Sequence, residues 1–344
     1  MYKLNLAVWE ITLKCNIHCL HCGSNADSNK RPNELTTDEA LDLVEQLADL
    51  GCKRVVLSGG EPFLRKDWAV IAHRIVQLGM DVSFISNGYV VNDDIISVLK
   101  VINPSGVGFS LDGSSAETHD YIRGKKGVFR RCINALDKVS RAGLYSSAVT
   151  AVHKKNLPEL PKILDILLEL GVCAWQIQTA TPQGRMPKDL ALNEDEYYSV
   201  AEFIAKNRQK YKSLIRIAEA DCIGYYSLLS PMLEDTCWQG CHAGMSVIGI
   251  ESDGGIKGCL SLHADGFIEG NIREQSLSDI WNSKDNFKYN RRFNPDKLEG
   301  ICKDCKYGSV CRGGCSEKSL SFTGTRYGSP YCLYHYEKSK GIQN

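Results

Sequence analysis

The 344-residue sequence predicts an α/β fold: a parallel sheet with helical crossovers, followed by a smaller cysteine-rich region. Two observations carry this. Up to Ile177 one pattern recurs at intervals of roughly thirty residues: an amphipathic helix, a glycine stop, then an apolar β-rich run. From Cys237 to Cys332 that pattern is gone, and eight cysteines take its place.

The first apolar segment, Leu6 to Leu13, reads as strand one. Residues 36 to 50 read as a helix, because Thr36 and Glu39 form a capping box and Ala40, Leu43, Val44, Leu47 and Leu50 repeat at helical spacing. Gly51 stops it, and Arg54 to Ser58 follows as strand two. Asp67 is the expected cap of a helix ending at Gly79, ahead of a strand through Ile85. A helix over Asp93 to Ile102 precedes the strand Gly106 to Leu111. Phe129 to Ala142 leads through Gly143 into Tyr145 to Val152, and Leu157 to Leu170 leads through Gly171 into Cys173 to Ile177. These make six strands. Near-continuous apolar strands with helical crossovers form a parallel sheet, as an open barrel or a doubly wound sheet, with chemistry at the strands' carboxyl ends. Thr179 to Asp189 shows no period, Asn193 to Tyr211 reads as a helix, and Ile215 to Ala218 is a short strand candidate. The expected units are 1–190, a linker with a helix over 191–236, and 237–344.

Lys plus Arg and Asp plus Glu balance at 41 each, which argues against a nucleic-acid or anionic-membrane partner. The opening residues lack a signal-peptide core and no apolar run has membrane-spanning length, so the expected location is the cytoplasm. There the fifteen cysteines stay reduced and free for metal. Cys52, Cys132, Cys173 and Cys222 stand singly and read as small apolar residues.

Directly after strand one come Cys15, Cys19 and Cys22 at C-x3-C-x2-C spacing. Three close thiolates suit a 4Fe–4S cluster with one iron left open, a zinc site completed by His18 or His21, or a chance cluster. The next strands end in Ser58-Gly59-Gly60-Glu61-Pro62, Ser86-Asn87-Gly88 and Ser110-Leu111-Asp112-Gly113. Each alone reads as a turn; together, on one rim beside three thiolates, they read as a site. In the last third stand Cys237, Cys241, Cys259, Cys302, Cys305, Cys311, Cys315 and Cys332. Eight ligands suffice for two closed 4Fe–4S clusters, or for a pair of structural zinc sites.

These residues resemble the radical S-adenosylmethionine (radical SAM) superfamily over roughly residues 6 to 190, and that resemblance implies a partial (β/α)6 TIM-like barrel. Cys15, Cys19 and Cys22 are similar to its cluster motif, with His21 at the position usually aromatic. Gly59, Gly60, Glu61 and Pro62 resemble the segment that holds the SAM amino group. Ser86, Asn87, Ser110 and Asp112 match the segments around the ribose and methionine, and Arg123 the arginine that meets the SAM carboxylate. The spacing C-x12-G-x4-C, gap, C-x2-C-x5-C-x3-C, gap, C from Cys241 to Cys332 resembles the SPASM domain of radical SAM maturases, a small irregular α+β unit. The resemblance implies interleaved ligation: Cys237, Cys241, Cys259 and Cys315 on an inner cluster, Cys302, Cys305, Cys311 and Cys332 on an outer one. Cys237 lies outside the seven-cysteine signature; without it the inner cluster has an open iron.

The implied chemistry is reductive cleavage of SAM to a 5′-deoxyadenosyl radical at one of three 4Fe–4S clusters, followed by hydrogen abstraction from substrate. An auxiliary cluster can then take the substrate's electron, giving a net oxidation (a crosslink, a double bond or a carbonyl), or can deliver electrons inward. The expected modification is a crosslink, a dehydrogenation or, with a hydrogen returned to the substrate radical, an epimerisation. The expected substrate is a side chain of a ribosomal peptide or protein. An external flavodoxin- or ferredoxin-type donor and a separate peptide-carrier protein are the expected partners. The alternatives are a tetrapyrrole or other small-molecule substrate, and a non-catalytic iron–sulfur or zinc protein. Leu260 stands where sulfatase-maturating relatives have an Asp after the inner-cluster cysteine, which argues against formylglycine formation and leaves His263 and Asp265 as base candidates.

Overall fold

The computed structural model describes residues 2–29, 31–220, 222–233, 238–263 and 265–342. Cys237 lies outside them. Its first part alternates strand and helix: β1 (Leu6–Thr12), α1 (Thr37–Asp49), β2 (Arg54–Gly59), α2 (Trp68–Gln77), β3 (Asp81–Ser86), α3 (Asp93–Ile102) and β4 (Gly106–Ser110). It continues with α4 (Ala116–Arg123), α5 (Val128–Arg141), β5 (Ser146–Val152), α6 (Leu160–Glu169), β6 (Ala174–Thr179), α7 (Glu194–Lys210) and β7 (Arg216–Glu219).

Local chemistry sets the helix starts. Thr36 and Glu39 close the expected capping box on α1, and Asn193 and Glu196 form a second on α7. Asp67 does not cap α2; its carboxylate accepts from Arg65 and from Thr37 Oγ1 at 2.7 Å. A charged partner is a stronger donor than a backbone N–H, so the cap is lost to an ion pair. Helix α4 has no counterpart in the sequence reading, because its buried residues Thr118, His119, Ile122 and Arg123 are mostly polar.

The sheet does not stop at six strands. Its order is β10-β9-β8-β1-β2-β3-β4-β5-β6-β7, with β8 (Val247–Ile250), β9 (Gly255–Lys257) and β10 (Ile268–Asn271) drawn from the cysteine-rich part. Strands β1 to β7 are parallel, β8 lies parallel to β1, and β9 and β10 are antiparallel additions. An edge strand presents unpaired N–H and C=O groups. Here β8 satisfies the β1 edge and β7 the β6 edge.

Trp9, Phe84, Phe109 and Trp175 are fully buried on β1, β3, β4 and β6, against apolar helix faces such as Cys132, Ala135, Leu136 and Val139 of α5. Cys52, Cys132 and Cys222 are buried as expected, and Cys173 is half-buried. The cysteine-rich part folds back over the first: Trp281 Nε1 donates to Tyr2 O, Leu277 N to Gln46 Oε1, and Glu337 accepts from Tyr198 of α7. No described helix is long and apolar enough to cross a membrane.

Candidate active site

The loop after β1 lies across the carboxyl ends of the strands, tied down by backbone. Gly60 N–H donates to Thr12 O at 2.8 Å and Glu61 N–H to Lys14 O at 2.9 Å. The approach needs glycine: a Cβ on Gly60 would sit 2.3 Å from Lys14 O. On the far side Gly124 ends α4 at φ +66°, and a Cβ there would sit 2.1 Å from His18 O. Arg185, in the stretch without periodicity, donates to Cys19 O and Ala26 O, both at 2.9 Å.

Cys15 and Cys19 are buried and Cys22 half-buried. Asn87 Nδ2 donates toward Cys15 Sγ at 3.6 Å, and Arg123 Nη1 toward Cys19 Sγ at 3.7 Å. Burial pushes the Cys15 thiol up to about 11, opposed by the Ile17 backbone N–H, with Glu61, Cys19 and Cys22 adding to the rise. Thiols held this close form a stable thiolate set when a metal takes their protons' place. The donor set therefore fits the open iron–sulfur cluster.

Glu61 is fully buried. Its oxygens accept from Ser86 Oγ and Asn87 N, both at 2.8 Å, and from Phe63 N at 3.3 Å. Burial lifts its pKa to about 7 in spite of those three donors. A ligand ammonium at that carboxylate would offset the burial term. Pro62 opens the short turn Pro62–Leu64 that Glu61 caps, and Gly59 pairs with Thr12 across the β1–β2 edge. Ser110 ends β4 in register with Val149, its carbonyl accepting from the Cys132 thiol.

Asp112, expected beside SAM, is turned to protein partners. One oxygen accepts from Ala151 N at 2.8 Å; the other lies 3.0 Å from His21 Nε2 and pairs with the Arg123 guanidinium. Burial alone would raise its pKa, but Arg123 and His21 overcome that and hold it well below the carboxylate range. Asp112 thus orients His21 and Arg123, which flank the cysteine loop. Arg123, expected at the SAM carboxylate, spends its Nη atoms on Asp112 and Cys19, leaving Nε buried without a partner among the described residues.

Two further histidines complete the cluster, and the sequence reading did not find them. His119 Nδ1 accepts from Asp112 N at 3.0 Å. His153 follows β5 at the rim position the other motifs occupy, which was the available signal. Its Nδ1 accepts from Lys155 N at 3.2 Å, so Nε2 carries the proton in the neutral ring. Burial lowers the His153 pKa to about 4, so the ring stays neutral at pH 7. His153 Nε2 and His21 Nδ1, on rings 6.4 Å apart, have no partner among the described residues. Two buried ring nitrogens without a protein partner suit a ligand that hydrogen-bonds to them.

The later cysteines fall into two sets. Cys302, Cys305, Cys311 and Cys332 line one cavity with Tyr225, Tyr226, Tyr307 and Ser329. Cys241 adds to the raised pKa of both Cys259 and Cys315, after burial, so these three form the second set. Among the described residues no group of three or more His, Cys, Asp or Glu side chains is gathered to hold a single ion. The four cavity-lining cysteines are spread around a shared space, an arrangement that suits a polynuclear cluster better than zinc.

The residues after Cys259 lie beside the end of the first motif. Gln183 Nε2 donates to Ser261 O at 2.8 Å, and a Cβ on Gly23 would sit 3.3 Å from His263 Nε2. Burial lowers the His263 pKa to about 4, with Lys257 adding to it, so the ring is a weak base. Asp265 opens the short turn Asp265–Phe267; its side chain lies outside the described residues.

Comparison with known proteins agrees with this geometry. The sequence matches the Radical SAM superfamily over residues 9–167 and the SPASM iron-sulfur cluster-binding domain over residues 241–306. It is 30% identical to the AdoMet-dependent heme synthase of Methanosarcina barkeri, covering 96% of each chain. It is 29% identical to the mycofactocin maturase MftC of Mycolicibacterium smegmatis, covering 94% of this chain and 80% of that one. The fold matches Streptococcus suis SuiB bound to its precursor peptide SuiA with TM-score 0.77 and 16% identity, over 96% of this chain and 76% of that one. The chain belongs to the radical SAM superfamily and carries a SPASM domain.

Proposed function

We propose that this radical SAM enzyme holds three 4Fe–4S clusters and carries out a net oxidation of a side chain in a peptide or protein. The observation that supports the reading is that Ser261 and His263, just after Cys259, lie against Gln183 and against Gly23, the residue after Cys22. In this reading the inner auxiliary cluster would lie near the SAM-binding one, so a substrate held between them would have an electron acceptor at hand.

Cys15, Cys19 and Cys22 would hold the SAM-binding cluster. Cys241, Cys259 and Cys315 with Cys237 would hold the inner auxiliary cluster, and Cys302, Cys305, Cys311 and Cys332 the outer one. When bound, these clusters and SAM supply one-electron transfer and hydrogen-atom abstraction. The protein's own part is binding and exclusion of water. In this reading Glu61 takes the SAM amino group, the Gly59–Gly60 backbone gives close approach, and Ser86 and Asn87 fix the Glu61 carboxylate. Ser110 and Arg123 border the cofactor. Asp112 holds His21 and Arg123 in place from behind rather than touching SAM. The enzyme would work in the cytoplasm, with a flavodoxin- or ferredoxin-type donor and a peptide presented directly or by a separate carrier protein.

The peptide reading is supported by the likeness to a mycofactocin maturase over nearly the whole chain. A tetrapyrrole substrate is the second reading, favoured by the end-to-end match to a heme synthase. Anaerobic reconstitution followed by dithionite and SAM should give about twelve irons per chain and 5′-deoxyadenosine. Co-expression with a short peptide encoded beside the gene should lower that peptide's mass by hydrogens. A mass change in an iron porphyrin bearing propionates, with none in the peptide, would favour the second reading.

A further inference from the structure

Lys318 is the one fully buried lysine side chain among the largest buried residues, and nothing above uses it. It lies in the helix Ser316–Thr323, which starts directly after Cys315. Its Nζ lies within hydrogen-bonding distance of Tyr197 Oη at 3.1 Å, Cys222 O at 2.9 Å and Tyr331 O at 3.2 Å. The Tyr197 hydroxyl donates its own proton to Cys222 O at 2.8 Å, so toward Lys318 it is an acceptor. Three acceptors surround the nitrogen. A neutral amine has two N–H groups and a lone pair, and would face one of these oxygens lone pair to lone pair; only the ammonium donates to all three. The Tyr197 ring, 4.5 Å from Nζ to its centroid, adds a cation–π contact that also requires the charge.

The position of this charge is the notable part. Lys318 is three residues from Cys315 of the inner set, and it binds the carbonyl of Tyr331, the residue before Cys332 of the outer set. Burial lowers the Lys318 pKa, opposed by Cys222, Cys315, Cys332 and Cys311, so members of both sets lie near the nitrogen. The three oxygens around Nζ are what favour the ammonium there. The Lys318 side chain is shielded from bulk solvent. Tyr225 lines the outer cavity, while its hydroxyl accepts from Cys315 N–H at 3.0 Å. In such a low-dielectric setting a unit charge acts over longer distances than it does in water.

We propose that Lys318 is a fixed positive charge shared by the two auxiliary clusters, and that it raises the reduction potential of both. This rests on the reading that the two cysteine sets hold iron–sulfur clusters. Gaining one electron makes a cluster more negative by one charge, and a nearby buried cation stabilises the reduced form more than the oxidised one. Both auxiliary clusters therefore accept an electron more readily, which suits them to the outward route of an oxidative reaction. Lys318 is a tuning residue; it touches neither SAM nor substrate.

The test is an EPR-monitored titration of the reconstituted full-length enzyme with Ti(III) citrate, run on wild type, Lys318→Met, Lys318→Arg and Lys318→Gln. The expected result is a ratio of reduced to oxidised auxiliary cluster at least tenfold lower in Lys318→Met and Lys318→Gln at a fixed potential. That is a shift of about 59 mV for a one-electron couple. Lys318→Arg should stay near wild type, and the SAM-binding cluster should not move in any variant. Unchanged auxiliary midpoints in Lys318→Gln at full iron loading would overturn the proposal. So would equal shifts in Lys318→Arg and Lys318→Gln, which would make the effect one of packing. Should Lys318→Met lose auxiliary iron, the Arg and Gln pair decides the matter, since both donate hydrogen bonds and only one carries the charge. Wild-type enzyme that binds only four irons per chain would instead refute the three-cluster reading.

Discussion

The two ends of this chain hold cysteine ligands in opposite ways. In the barrel, Cys15, Cys19 and Cys22 sit on a loop carried by strands of four to seven residues and helices of eight to seventeen. That scaffold has its own apolar core, from Trp9 to Trp175, and does not need the loop in order to fold. In the SPASM region the strands have three or four residues and the longest helices eight. Cysteines, turns and single aromatic contacts make up much of the rest. The first region displays its cysteines on a loop; the SPASM region is built largely around its cysteines. Where regular structure is scarce, metal binding supplies free energy that packing supplies elsewhere.

The largest effect that tests this contrast is functional. Replacing Cys15, Cys19 and Cys22 together with Ala should reduce 5′-deoxyadenosine formation to background. The remaining iron should be about eight per chain, and the melting temperature should barely change. Equal loss of all iron would break the contrast. The mirror experiment, Cys302→Ala with Cys305→Ala, should strip the outer cluster, lower the melting temperature and open the region from 238 to 342 to limited proteolysis. Barrel peptides should stay protected. A third change probes the barrel's internal charges. Asp112→Ala leaves Arg123 buried without its carboxylate, and denaturant titration should show a loss of about 3–5 kcal/mol. Lys318 poses the same question on the SPASM side, read as potential rather than stability.

The smallest effect lies at the seam. Glu39 on α1 binds Arg273, which follows β10, so the pair joins the two regions. The hydrogen bonds from Arg273 and the Thr36 backbone hold Glu39 down at about 2, below its ordinary 4.5. A lowered acid favours the fold when ionised, so its contribution is present above pH 4.5 and fades as pH falls through about 2. The pair is exposed, so Glu39→Gln should cost under about 1 kcal/mol at neutral pH. Unfolding curves of the two proteins at pH 7 and below pH 3 should converge at the acid end.

How much was legible follows the same division. Helical periodicity, glycine stops and the Thr36–Glu39 box are local signals, and they gave six strands and their helices near their observed bounds. Cysteine spacing is local too, and it singled out eleven candidate metal ligands, of which Cys237 falls outside the described residues. Some misses were local and others long-range. Asp67 looks like a cap until Arg65 is seen to claim it. The convergence of His21 and Arg123 on Asp112 was not legible in the sequence either. Strands β8 to β10 carry too few residues to announce themselves, and they join the sheet because the β1 edge is free.

By itself, then, the sequence determined the chemistry this protein can perform: three cysteines after a first strand, a Gly-Gly-Glu on the second, and a seven-cysteine signature beyond Cys237. These are patterns of short range, set by ligand count and chain geometry. Only the tertiary structure decided how the parts face one another. It set His263 against Gly23 beside the opening cysteines, gathered three histidines around Asp112, and buried Lys318 near thiols of both later sets. Those relations depend on which side chains lose water together, and burial in a folded chain joins residues that lie hundreds of positions apart.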